Sequence, residues 1–171
     1  LTIALKIASV DEGKAIKRIT MNFDPTLYLT QSPHNLALGL KLVKFTEQEI
    51  MIEMPYQENL VGDPETGVIA GGAVTALLDT ACGLGVYARL RAFLSISTID
   101  LRIDYLRSAT PGKAILVTAD CHRITHHAAF VRALAFHAGE ETQPIAHGNG
   151  VFSVSRHTVA EVAAKHGGET A

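Results

Sequence analysis

The sequence predicts an α+β fold in which a strongly curved antiparallel β-sheet wraps one long central α-helix. Three observations carry this prediction. The stretch from Val68 to Leu90 is apolar almost throughout, with strong helix formers after Gly71-Gly72. No charged stripe runs along it, and a helix apolar on nearly all sides has to be surrounded by protein. Segments that alternate apolar and polar residues stand both before and after it, as half-buried strands do. A sheet curled around the helix is the arrangement that buries most of its circumference.

Before the helix, residues 11–32 are mixed, with a short helix expected ahead of Pro25 and a further turn around Leu27 to Thr30. From Leu38 the pattern changes. LGLKLVKF and EIMIEMPY alternate, with Thr46-Glu47-Gln48 between them, which reads as a β-hairpin. Pro55 and the turn-rich VGDPETG then end the sheet pairing and deliver the chain to Gly71.

After the helix, Ser97 to Arg107 alternates. It is expected to put Ile99, Leu101, Ile103 and Tyr105 on one face and Asp100, Arg102 and Asp104 on the other. Pro111-Gly112 makes a turn. AILVTADCHRI, HHAAFVRALAFHA and AHGNGVFSVSR supply three more strands, joined at Thr125-His126 and by the AGEETQPI loop. The expected order is β-β-α-β-β-β-β. The tail from Val159 to Lys165 has helical composition and runs into GGETA, so it is expected to fray.

The 171 residues, 47% of them hydrophobic, suit one globular domain. Charged residues are 19% of the chain and the net charge is -2, so there is no basic field for a nucleic-acid backbone or an anionic membrane. Cys82 and Cys121 lie in apolar segments at no metal or redox spacing, which implies buried, reduced thiols in a cytoplasmic protein. Residues 1–10 are apolar but short, and Asp11-Glu12 follows in place of a small-residue cleavage site, so no signal peptide is expected. Position 1 is not Met, as in a numbering that begins inside or after the processing of a longer chain. Val68 to Leu90 is long enough to cross a bilayer, but Asp79 would lie near its centre and no second span or basic flank sets a topology.

Two features of the helix suggest chemistry. Gly71-Gly72 stands at its amino-terminal end, where unpaired N–H groups and the helix dipole favour a developing negative charge and glycine allows close approach. The same pair would equally serve to let the chain turn. Asp79 is the sole charged side chain between Glu65 and Arg89. A carboxylate in such a setting is costly unless it is used or satisfied, for instance by Thr75, Thr80 or a nearby strand. Eight helical residues rise about 12 Å, so Gly71 N–H and Asp79 of one chain cannot both touch one carbonyl group. If both act on the same carbonyl, they come from two antiparallel central helices in a dimer.

The segment GDPETGVIAGGAVTALLDTACGLG, followed by STIDLRIDYLRSATPGKAILVTADCHRITHHAAFVRALAF, resembles the PaaI-like (phenylacetyl-CoA thioesterase) branch of the hotdog-fold superfamily, which also contains the 4-hydroxybenzoyl-CoA thioesterases. The likeness covers roughly residues 36–155. It implies an N-terminal helical extension over 1–35, a hotdog thioesterase domain over 36–155 and a tail over 156–171. It also implies a thioester hydrolase acting on an aryl- or medium-chain acyl-CoA as a homodimer or dimer of dimers. The family's oxyanion-binding N–H falls on Gly71, with Gly72 beside it, and its catalytic carboxylate, base or nucleophile across the dimer interface, falls on Asp79. The polar residue that positions the attacking water falls on Thr98.

The chain departs from its relatives at Ala70, where they usually carry His, and at Pro64, where some have Asn. Asp63 and Thr66 are the nearest replacements. No P-loop or Rossmann glycine pattern is present, so CoA phosphates must be met by side chains: Arg123, His126, His127 and Arg132 around one late turn, with Arg89 and Arg91 at the helix exit. The eight histidines show no metal spacing, and His126-His127 in a strand would point to opposite faces, so neither metal nor cofactor is expected. The acyl group would occupy a tunnel between helix and sheet lined by residues such as Leu78, Val86, Ile96 and Phe130. Two other readings stay open: a dehydratase or hydratase of acyl thioesters, which would want the missing His, and a catalytically silent acyl-CoA-binding module of the same fold.

Overall fold

The computed structural model describes residues 24–91 and 94–158, with residues 156–158 described by their backbone alone. The helix expected ahead of Pro25 and the tail from Val159 lie outside the described residues. Two short helices open the described chain, α1 (Pro25–Thr30) and α2 (Pro33–Ala37). Each carries proline in its first turn and is capped by the side chain before it: Asp24 Oδ1 accepts from Thr26 N–H, and Ser32 Oγ accepts from Asn35 N–H.

The predicted hairpin forms as β1 (Lys41–Phe45) and β2 (Ile50–Met54). Between it and the helix the chain does more than turn. A 3-10 turn leads into a two-stranded ribbon, β3 (Val61–Asp63) with β4 (Val68–Ile69). Asp63 closes it: Oδ2 accepts from the Thr66 hydroxyl at 2.6 Å and Oδ1 from Glu65 N–H at 3.1 Å. The Thr66 bond, then the Glu65 bond, hold the Asp63 carboxyl below its ordinary value.

The central helix α3 runs Gly71–Leu90, followed by β5 (Leu94–Tyr105), β6 (Ile115–Ile124), β7 (Ala128–Phe136) and β8 (Ala146–Thr158). The large sheet has the order β1-β2-β6-β7-β8-β5, every neighbouring pair antiparallel. It wraps α3, whose Val74, Leu77, Leu78, Ala81, Cys82, Leu84 and Val86 are all buried. Small residues make this close approach possible. The strands meet the helix with Ala119, Ala133, Gly148 and Gly150. A side chain on Gly85 would touch Val131 and Ala119, and one on Gly148 would meet Leu78 at 3.4 Å. The helix is long and apolar enough to cross a membrane, but its surroundings here are the protein core.

β5 departs from simple alternation. The register with β8 slips between Thr98 and Asp100, so Ile99 is the extra residue of a bulge. Ile99 is accordingly 63% exposed and does not join Leu101 and Ile103 on the inner face as the sequence pattern implied. Thr98 and Tyr105, which an unbroken strand would send to opposite faces, both reach α3.

Cys82 and Cys121 are free and buried. Burial, and then the negative charge of Asp79, push the Cys82 thiol up to about 12, and burial raises Cys121 as well. Neither thiol should react with a disulfide reagent in the native protein at pH 8, and both should react at once in denaturant. Stoichiometric labelling without unfolding would contradict this burial.

Candidate active site

The start of α3 is fixed from behind. Ala70 N–H donates to the Leu60 carbonyl at 2.8 Å, and β3 presses so close that a side chain on Gly62 would strike Ala70 Cα at 2.8 Å. Ala70 takes the N-cap position in extended conformation, with no side-chain cap. Its carbonyl accepts from Ala73 N–H (3.0 Å) and Val74 N–H (3.4 Å). Gly71 and Gly72 therefore hold the two N–H groups ahead of any intrahelical acceptor. Both residues are exposed, and nothing lies within 4 Å of where a Gly72 side chain would start.

On the opposite side of this first turn, Tyr105 reaches over from β5. Its hydroxyl donates to the Gly71 carbonyl at 2.7 Å and lies 2.8 Å from Thr75 Oγ1. Neither Tyr105 nor Thr75 is recognisable as part of this arrangement in the sequence, because the two lie thirty residues apart and alternation gives the face of Tyr105 but not its partner on α3.

Two turns further on, Asp79 is half-buried, more open in the single chain than an apolar helix suggests. The Thr98 hydroxyl donates to its Oδ1 at 2.9 Å. Among the described residues no cation pairs with it. Thus the structure joins Asp79 to Thr98 and leaves Gly71 and Gly72 about 12 Å away along the same helix.

Arg123, His126 and His127 are exposed at the β6–β7 turn, beyond the point where Ala119 and Val131 pack at Gly85. That turn stands toward the carboxyl end of α3, away from Gly71. His126 and His127 are not in a strand, and their rings meet edge-on at 4.5 Å. Arg132 does not belong to this cluster. It lies within β7 on the outer sheet face, in register with Asp120 and Asn149. Arg89 and Arg91 are engaged by Glu47, at 4.0 and 3.4 Å. Asp63 and Thr66 are bound to each other in the β3–β4 turn and not aimed at the helix start. Of the proposed tunnel residues, Leu78 and Val86 are fully buried and Ile96 lies near Gly83. Phe130 is excluded, since its neighbour Val131 points at α3 and successive strand residues face opposite ways.

A six-stranded antiparallel sheet wrapped on one long helix is the hotdog fold, and solved structures share it. A crystal structure of a Pseudomonas aeruginosa protein is 37% identical and covers 75% of this chain and 95% of that one, with a TM-score of 0.67. The smu.793 protein from Streptococcus mutans, solved bound to acetyl CoA, is 18% identical over 70% of this chain and 90% of its own, with a TM-score of 0.61, a likeness of fold alone. Residues 66–143 match the thioesterase superfamily model. The medium/long-chain acyl-CoA thioesterase YigI of Escherichia coli is 31% identical over 106 residues, which are 54% of this chain and 66% of that protein. Over this central segment the chain is similar to the thioesterase superfamily, and it spans about two thirds of the length of that curated relative.

Tyr105→Phe removes the hydroxyl that ties β5 to the helix start. It should lower unfolding free energy by about 0.5–1.5 kcal/mol in urea titration, with unchanged circular dichroism. An unchanged midpoint would show that the tie carries no energy.

Proposed function

We propose that this protein hydrolyses an acyl-CoA thioester to the free acid and CoA. The observation that carries the reading is Asp79: a carboxylate on an otherwise apolar core helix, held through one oxygen by Thr98, with no cation beside it among the described residues. A group so placed is poised to accept a proton from water. Water oxygen attacks the thioester carbonyl carbon and its proton passes to Asp79. The resulting oxyanion lies on the free N–H groups of Gly71 and Gly72, then the C–S bond breaks and the leaving sulfur takes the proton back from Asp79, so that CoA departs as the thiol and the carboxylate is restored. Thr98 acts through Asp79 by fixing one carboxylate oxygen. The match of residues 66–143 to the superfamily and the likeness to YigI support the reaction class. The PaaI-like branch, and an aryl- or medium-chain acyl group, are our finer assignment.

The 12 Å between Gly71 and Asp79 makes the site a shared one in this reading. Among the described residues β5 is the last strand of its sheet, with one edge open to pairing. Two copies of β5 paired antiparallel about a two-fold axis between Leu101 and Arg102 would set Thr98 of one protomer across from Tyr105 of its partner. The Asp79 end of each helix would then meet the Gly71 end of the other. Arg123, His126 and His127, at a distance from the reacting carbonyl, suit the phosphates at the far end of the long pantetheine arm of CoA.

In a thiol-release assay over a panel of aryl- and fatty-acyl-CoAs, Asp79→Asn should lower kcat by roughly 10²–10⁴-fold with KM changed only a few-fold. Equal turnover by both proteins would remove Asp79 from the mechanism, and tight CoA binding without release in either would favour a binding module. Gly71→Pro deletes the donor at a helix position that tolerates proline, and should be inactive alone. Unfolded and refolded together, the two inactive variants should recover about a quarter of wild-type activity, because half the dimers are mixed and each mixed dimer holds one intact site. No recovery from folded, mixed dimers would mean that the site lies within one chain.

A further inference from the structure

One helical turn past Asp79, about 6 Å along the axis, the surface of α3 is bare at Gly83. Three side chains from three different elements converge there. A Cβ on Gly83 would lie 3.1 Å from the Tyr28 hydroxyl, 3.9 Å from Ile96 Cδ1 and 3.9 Å from Phe152 Cε1. Ile96 stands two residues before Thr98 on the same face of β5, so the polar pair Asp79–Thr98 is followed directly by an apolar, aromatic cluster.

Tyr28 is held there by more than packing of its own ring. That ring meets Tyr87 edge-on with centroids 5.5 Å apart. Its carbonyl accepts from Asn35 Nδ2 at 3.4 Å, and the buried Asn35 accepts from Thr80 Oγ1 of α3 at 3.3 Å. Leu29, next in the chain, is 2% exposed. The segment that carries Tyr28 is thus clasped to the residue after Asp79. The Tyr28 hydroxyl itself has no hydrogen-bond partner among the described residues, and it senses Asp79: burial first, and that carboxylate second, raise its pKa.

We infer that Tyr28 is a specificity-determining residue, forming with Ile96 and Phe152 the closed end of the acyl-binding channel at Gly83. This rests on the thioesterase reading, which puts the carbonyl at Asp79 and requires the acyl group to run on from it. The floor stands one turn away, so the preferred acyl groups are single-ring or at the short end of the medium chains, and long fatty chains are refused by contact with Tyr28.

The test measures kcat/KM for acyl-CoAs from four to fourteen carbons and for benzoyl- and phenylacetyl-CoA. It also measures binding of the matching S-alkyl-CoA thioethers, which cannot be hydrolysed. Wild type should favour the short and aromatic members. Tyr28→Ala should raise the ratio of twelve-carbon to six-carbon kcat/KM about ten-fold or more, with the thioethers following the same trend. Gly83→Ala narrows the same space from the helix side and should move the ratio the other way, which keeps the test open if Tyr28→Ala fails to fold. An unchanged ratio in either folded variant, or a wild type that prefers fourteen carbons, overturns the inference. Should wild type release no thiol from any substrate, the hydrolase reading falls, while chain-length dependence of thioether binding still decides the role of Tyr28. No thioether binding at all would remove both.

Discussion

A helix of twenty residues with a single charged side chain before its last turn has no face to offer water, and the arrangement of the rest of the chain follows from the need to enclose it. Covering one stripe would leave Leu77, Leu84 or Val86 wet, at a cost of about 1.5–3 kcal/mol for each large side chain. The sheet therefore curls, and several strand residues beneath the helix, Ala119, Ala133, Gly148 and Gly150, are small because larger ones there would hold the two apart. Glycine at 148 and 150 would weaken an ordinary strand. Here it admits Leu78 and Cys82 of the helix, and the exchange is favourable because the volume lost on the strand is filled from the other side.

Enclosure by a sheet of limited width leaves one flank of the helix thinly covered, and the polar groups gather on it. Asp79, Thr75 and the Gly71 carbonyl all face β5, the edge strand, and each finds its partner there in Thr98 or Tyr105. Those two residues are seven positions apart. They share a face because one residue, Ile99, is squeezed out of the ladder between them. The bulge thus converts an alternating strand into one that serves the helix at two points, and it does so where the strand has, among the described residues, only one neighbour to resist the distortion.

This explains how far the sequence could be read. The apolar run, its glycine start and its lone carboxylate are local patterns of composition, so α3, Asp79, Gly71 and Gly72 were legible, and so were the large strands from their alternation. The family likeness brought in Thr98. A bulge leaves no mark on a strand pattern, so alternation sends Ile99 inward, and the tie from Tyr105 to Gly71 joins residues 34 apart that no local pattern relates. The β3–β4 ribbon was hidden because two- and three-residue strands are too short to show a period. Arg132 sits near the late turn in sequence, but a strand carries it along the outer face of the sheet, and only register separates it from Arg123 and His126. Tyr28 belongs to a stretch with no periodicity, and its neighbour at Gly83 is more than fifty residues away.

The clasp from Asn35 to Thr80 gives the N-terminal segment a role distinct from that of the helix it touches. Residues 66–143, the part that matches the superfamily, contain Gly71, Asp79, Thr98 and Tyr105, whereas Tyr28 and Asn35 lie ahead of it. In the proposed reading the residues of the reaction centre and the residue that closes the pocket therefore lie on separate stretches of chain, which meet through the Asn35–Thr80 hydrogen bond, the Tyr28–Tyr87 ring contact and the buried Leu29. In that reading, change confined to the leading segment would alter the depth of the pocket while leaving Asp79, Thr98 and Gly71 as they are. Modularity of this kind gives one small fold a route to many related substrates.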